Sequence, residues 1–183
     1  MDINQYSVFL SLGMFLVIGI IIITMVGYIA SPRLKERLLQ VSYWDYIKLI
    51  GATATIATLG ALVYQFGYGT PVCEYCWWQR IFIFPIEFVA FGTLMLRNKG
   101  NEMIIAALAV VGSLFAAMHY YFHVQAAILM KDVTLPCSSI GIIPSCTETP
   151  VLVFGFITIP LMALVMLIAI LWMCYLAYRV RKQ

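Results

Sequence analysis

Residues 8–30 read VFLSLGMFLVIGIIIITMVGYIA, and no Asp, Glu, Lys or Arg interrupts the 30 positions between Asp2 and Arg33. About 20 apolar helical residues cross the roughly 30 Å of bilayer hydrocarbon, so this stretch predicts a spanning helix. Basic residues follow it and none precedes it, the reverse of a secretory signal peptide, so the helix is expected to be retained. Working outward, four more charge-poor stretches predict helices at about 46–66, 77–96, 103–123 and 151–178. The expected fold class is therefore an all-α membrane protein of five spans. With 63% hydrophobic residues, 10% charged residues and a mean hydropathy of +0.97, a water-soluble globule is excluded. Five crossings use about 110 of the 183 positions, which leaves no room for a separate soluble domain.

The net charge of +3 carries its meaning in where the charges fall. Arg33, Lys35, Arg37 and Lys48 lie between the first two spans, Arg97 and Lys99 between the third and fourth, and Arg179, Arg181 and Lys182 after the fifth. All nine fall on one side of a five-span chain, against Lys131 alone in the opposite loops. By the positive-inside rule the N-terminus is expected outside and the C-terminus in the cytoplasm. The basic excess is a topology signal, and no nucleic-acid partner is implied.

Four of the five cysteines then fall in the two outward loops, where disulfides persist: Cys73 and Cys76, and Cys137 and Cys146. Cys174, five residues before Arg179, reads as a small buried apolar side chain. The first pair is a C-x-x-C where a loop enters the third span. Free N–H groups and partial positive charge at a helix start favour a thiolate, expected here at Cys76. Alone, the motif is equally a structural disulfide or half of a zinc site. Arg80, one turn beyond Cys76 on nearly the same face, adds a cation that favours a thiolate and can polarise the carbonyl oxygen of an acceptor. The second pair, with Pro136, Gly141 and Pro144 around it, would close a small exposed loop of the kind that holds a labile disulfide as readily as a brace.

The stretch Cys73-Glu74-Tyr75-Cys76-Trp77-Trp78-Gln79-Arg80-Ile81 resembles the C-x-x-C-aromatic-aromatic-[QE]-R-[IV] signature of the DsbB/BdbC family of membrane thiol:quinone oxidoreductases, the Gram-positive-type branch above all. The resemblance covers about residues 46–178. It implies a four-helix redox bundle in 46–183, preceded in 1–45 by an extra helix and a basic loop that the four-helix members lack. Vitamin K epoxide reductase relatives share the bundle and quinone chemistry, but their loop cysteines precede the C-x-x-C, whereas here the C-x-x-C comes first.

By resemblance, the chain sits in a bacterial inner or plasma membrane with its redox loops outside and serves disulfide formation in exported proteins. A reduced thioredoxin-fold, DsbA-like partner attacks the Cys137–Cys146 disulfide at Cys137, Cys146 exchanges with Cys73, and Cys76 donates to menaquinone or ubiquinone. The DsbA, DsbB and quinone route is an established scheme. The residues expected at the quinone are Arg80, His123, Gln79 and Trp77, and no resident metal is expected. His119, four residues before His123, reads first as an interfacial histidine. Glu87, seven residues after Arg80, is a candidate because ionisable groups inside a membrane are costly. Two other classes remain open from the residues alone: a zinc-binding or disulfide-braced membrane protein, and a small transporter lined by Arg80 and Glu87.

Overall fold

The computed structural model describes residues 2–129 and 151–183. Six helices run in the order α1 (Ile3–Ala30), α2 (Pro32–Gln40), α3 (Tyr43–Leu62), α4 (Glu74–Leu96), α5 (Glu102–His123) and α6 (Ile159–Arg181). α3 and α5 each end in a π-helical turn, Val63–Gly67 and Val124–Ile128. Five of these helices, all but α2, are long and apolar enough to cross a membrane.

The core is built from one stripe on each of four helices: Ile47, Ile50 and Ala54; Ile83, Ile86 and Ala90; Ile105, Ala109 and Ala116; Leu167, Ile170, Cys174 and Ala177. Steps of three and four residues keep each stripe on one helix face. Lipid is as apolar as leucine, so helices in a membrane gain most from close approach, and small residues permit it. Among the glycines of these four helices Gly112 sits tightest: a Cβ there would lie 3.1 Å from Phe82 Cβ and 3.4 Å from Leu167 Cδ1. The large apolar side chains left exposed, such as Phe9, Ile23, Phe88 and Leu114, are the surface a bilayer covers.

α1 leans on the outside of this four-helix bundle and buries only Ser7, Ser11 and Met14. Asp2 starts it with a capping box shared with Gln5. α2 forms within the segment expected to be a basic loop. Its N-cap is Ser31, whose hydroxyl accepts from Leu34 N–H, and Pro32 occupies the first turn.

Several helix boundaries differ from expectation, α1 and α3 beginning earlier at Ile3 and Tyr43, and two of the differences shape the site's end of the bundle. α4 begins at Glu74 rather than Trp77, because Cys73 itself caps it. The last span begins at Ile159 rather than near 151. Residues 151–158 instead form a tight turn closed by a bridge between Val153 and Ile157, with Phe154 and Gly155 at positive φ. Gly155 accepts that conformation at little cost, and Pro160 opens the helix that follows.

At the end of the bundle where α3 and α5 begin and α6 stops, a polar cluster ties the three together. Tyr43 Oη donates to Glu102 Oε2 at 2.8 Å, and Arg181 Nε pairs with Glu102 Oε1 at 2.6 Å. Gly100 N–H donates to Tyr43 Oη at 3.2 Å. Glu102 is fully buried, so its charge depends on these partners. Glu102→Ala is expected to cost about 3 kcal/mol, read as a lower thermal midpoint in detergent. Lys48→Ala, which breaks only the exposed Lys48–Asp45 pair, should change it by less than about 0.5 kcal/mol.

Candidate functional site

The site lies at the opposite end of the bundle, where α1 and α4 begin and α3 and α5 finish. Gly69 at positive φ and Pro71 turn the chain out of α3 towards α4. Cys73 then takes the N-cap position in extended conformation, and its Sγ accepts from Cys76 N–H at 3.4 Å. An N-cap side chain serves the free donors of the first turn, a role a sulfur fills best when it carries negative charge.

Two further contacts converge on the same sulfur. Cys73 Sγ and Cys76 Sγ share a hydrogen bond at 3.0 Å, and His119 Nε2 lies 3.5 Å away. The hydrogen bond shared with Cys76 contributes most, and together with His119 it outweighs the burial that opposes ionisation. The Cys73 thiol is therefore held well below the ordinary thiol range. This corrects the expectation that the helix start favours a thiolate at Cys76. The capping residue is Cys73, while Cys76 sits one turn in and donates its backbone N–H to the Cys73 sulfur. Both are free thiols, placed for reversible closure to a disulfide.

His119 is fixed by a second contact, Gln79 Nε2 to His119 Nδ1 at 3.1 Å. With the amide donating to Nδ1, the ring proton resides on Nε2 and points at Cys73 Sγ. Tyr75 stacks on the His119 ring, centroids 5.5 Å apart. His123, which the sequence ranked above His119, is buried edge-on behind it at 4.4 Å between centroids. His119 is thus the histidine in contact with the C-x-x-C. Helical spacing put both on one face and left the choice between them to depth.

Arg80 lies one turn beyond Cys76, buried, and its guanidinium bonds to Gln65 Oε1 and, at 3.2 Å, to the Ala61 carbonyl. Gln65 escaped the sequence reading. Its signal was a single polar residue near the end of an apolar span, brought inward by the π-turn of α3. Trp77 packs under the Arg80 guanidinium, 5.4 Å from Arg80 Cζ to the ring, and is half exposed. A cavity of about 380 Å³ opens beside these groups. Cys76, Gln79, Arg80, Gln65 and Thr70 form its polar part, and residues such as Ile56, Ile83 and Met166 its apolar walls. Trp77, His123 and Glu87 do not line it, and Glu87 is half-buried on α4. Cys137 and Cys146 lie outside the described residues.

The donor atoms of Cys73, Cys76 and His119 all lie within 4.8 Å of one another, so these three could also hold a metal ion. Such a thiolate and imidazole set suits zinc.

A family profile described as "Disulfide bond formation protein DsbB" matches residues 45–177. The chain belongs to the DsbB family. With five helices of spanning length, this DsbB-family member is a multi-pass membrane protein. Among its relatives, "Probable disulfide formation protein C 2" of Bacillus anthracis is 30% identical over 132 residues, 72% of this chain and 89% of the relative. "Disulfide bond formation protein C" of Bacillus subtilis is 30% identical over 124 residues, 67% of this chain and 86% of the relative. "Probable disulfide formation protein" of Coxiella burnetii is 31% identical over 112 residues, 61% and 73% of the two chains. No solved structure matches the chain significantly. The DsbB match begins at residue 45, so α1 and α2 precede the shared region.

A lowered thiol pKa keeps Cys73 ionised at pH values where an ordinary cysteine, near 8.5, is protonated. The alkylation rate of Cys73 in the reduced chain, resolved by peptide mass spectrometry, should therefore reach half its plateau well below pH 8.5. His119→Phe removes a donor and should move that midpoint upward. A wild-type midpoint at or above 8.5 would contradict the arrangement.

Proposed function

We propose that this chain reoxidises an extracytoplasmic thioredoxin-fold dithiol protein and delivers the electrons to a membrane quinone, so supporting disulfide formation in exported proteins. One observation carries the reading: a single cavity, apolar along most of its wall, reaches both a C-x-x-C sulfur and a buried arginine. A thiol, a fixed cation and an apolar enclosure together fit an amphipathic carbonyl acceptor soluble in lipid. They fit a water-soluble one poorly. The nine basic residues at the other end orient the site to the outside.

A quinone in the cavity supplies a sink for two electrons and two protons, matched by conversion of the Cys73–Cys76 dithiol to a disulfide. Arg80 and Gln79 would hold its polar ring, with Ile83 and its neighbours around the rest. Of the five guanidinium N–H donors, the bonds to Gln65 and Ala61 use two, which fixes the plane of Arg80 while leaving others for a ligand. Gln79 holds the His119 tautomer, and His119 keeps a proton at Nε2 facing Cys73, which stabilises that sulfur whenever it is a thiolate.

The dithiol step on the partner's side belongs to Cys137 and Cys146. The partner thiolate attacks Cys137 and displaces Cys146, and the partner's second thiolate then resolves the mixed disulfide and leaves both loop cysteines reduced. Cys146 passes the electrons on by attack at Cys73 of the Cys73–Cys76 disulfide, which expels Cys76 as a thiolate beside Arg80. Attack of Cys137 on Cys146 then re-forms the loop disulfide and releases Cys73, leaving the Cys73–Cys76 dithiol to reduce the quinone. Each exchange forms one S–S bond and breaks one, so the electron pair moves without loss.

The test combines detergent-purified chain, a reduced thioredoxin-fold protein and a short-tailed quinone, with quinone absorbance followed over time. Turnover is expected, and Cys76→Ser should abolish it. Arg80→Met should raise the quinone KM about tenfold or more through loss of charge-assisted hydrogen bonds, while the mixed disulfide with the partner still forms. Absence of quinone reduction by the intact chain would overturn the proposal. Together with one tightly held zinc per chain, it would favour a metal site at Cys73, Cys76 and His119 instead.

A further inference from the structure

α1 lies before the shared DsbB region, yet it is not remote from the acceptor cavity. Leu10, Gly13, Met14 and Val17, a stripe at helical spacing, line the same space as Cys76, Gln79 and Arg80. Two seams hold α1 in place. Along α6, Trp172 Nε1 donates to Thr24 Oγ1 at 3.0 Å, the Tyr28 ring meets the Trp172 ring edge-on at 5.7 Å, and Met14 is buried in one cluster with Val165. Against α3 the contact is polar and lies at the site's own end: Tyr64 Oη donates to Ser7 Oγ at 2.9 Å, and Tyr6 packs edge-on against Tyr64 at 5.1 Å.

Between these seams the face of α1 at Gly13 is open. A Cβ added at Gly13 would meet nothing within 4 Å, and the space it would enter borders the cavity. A helix needed only as an anchor has no use for a buried hydroxyl pair tying its first turns to α3. Here that pair holds the stripe to the cavity that Arg80 also lines, as one side of an enclosure.

We propose that α1 is the side wall of the acceptor pocket, and that its Gly13 and Met14 face helps determine how well a lipid quinone binds. The inference rests on the quinone reading above and assigns to α1 a binding role at that same site. Without α1 the pocket would lose this stripe of its lining and open to lipid between α3 and α6.

The experiment compares Gly13→Leu with Gly19→Leu in the full chain reconstituted in nanodiscs. Gly19 lies on the same helix, is equally open to an added Cβ, and does not line the cavity. Equilibrium binding is read from quenching of tryptophan fluorescence by a decyl-tailed ubiquinone and a short-tailed menaquinone, and KM is measured alongside. Gly13→Leu is expected to weaken binding and raise KM about tenfold by filling the site. Gly19→Leu should stay within about twofold of wild type, a change too small to signal lost binding energy. Oxidation of the Cys73–Cys76 dithiol by a soluble disulfide should proceed at wild-type rate in both, which separates a filled pocket from a damaged fold. If wild type binds and reduces quinone and the two leucine variants bind it equally, the wall is refuted and the quinone reading survives. If wild type neither binds nor reduces quinone, both fall.

Discussion

Bilayer hydrocarbon offers no hydrogen-bond partner, and that constraint arranges the whole molecule. Each polar group placed among these spans must bring its partners with it. The bundle gathers the polar contacts between its four helices at its two ends, while mid-helix hydroxyls such as Thr55 and Ser113 bond their own helix carbonyls. At one, Glu102 is held by Arg181 and Tyr43. At the other, Arg80 is held by Gln65 and the Ala61 carbonyl, and His119 by Gln79 and Cys73. Between them the four stripes of Ile, Ala and Leu pack without polar content. The first cluster fixes how the helices end on the basic side, which leaves the second free to be chemical.

The same constraint sharpens the reactive end. Cys73 is a helix cap whose sulfur replaces the oxygen that usually stands there, so the backbone, the Cys76 thiol and the His119 ring all favour its anion. Reactivity and helix initiation are thus one piece of geometry. A change that shifted where α4 begins would also change which sulfur is acidic.

Much of this could be read from the residues. The spans, the segregation of basic residues and the C-x-x-C followed by Arg80 are local patterns, and hydropathy and spacing reveal them directly. What escaped was whatever depends on two helices meeting. Gln65 belongs to the end of α3 and acquires a role only against α4, and spacing alone favours His123, whereas packing brings His119 to the C-x-x-C. The thiolate expected at Cys76 falls to Cys73 because the helix boundary lies three residues earlier than the apolar run. Residues 151–158 look like more helix by composition, and the turn at Gly155 ahead of Pro160 is what keeps them out of it.

The two π-turns, Val63–Gly67 and Val124–Ile128, end the two helices that flank the C-x-x-C. A π-turn is in effect an α-helix with one residue too many, and it alters the angular phase of everything beyond it. Gln65 lies within the first of them and faces Arg80 on account of that extra residue. The contact that steadies the arginine is therefore encoded in chain length as much as in side-chain identity. Shortening Val63–Gly67 by a single position would rotate Gln65 away with both residues still present, a loss that comparing residue types alone would miss.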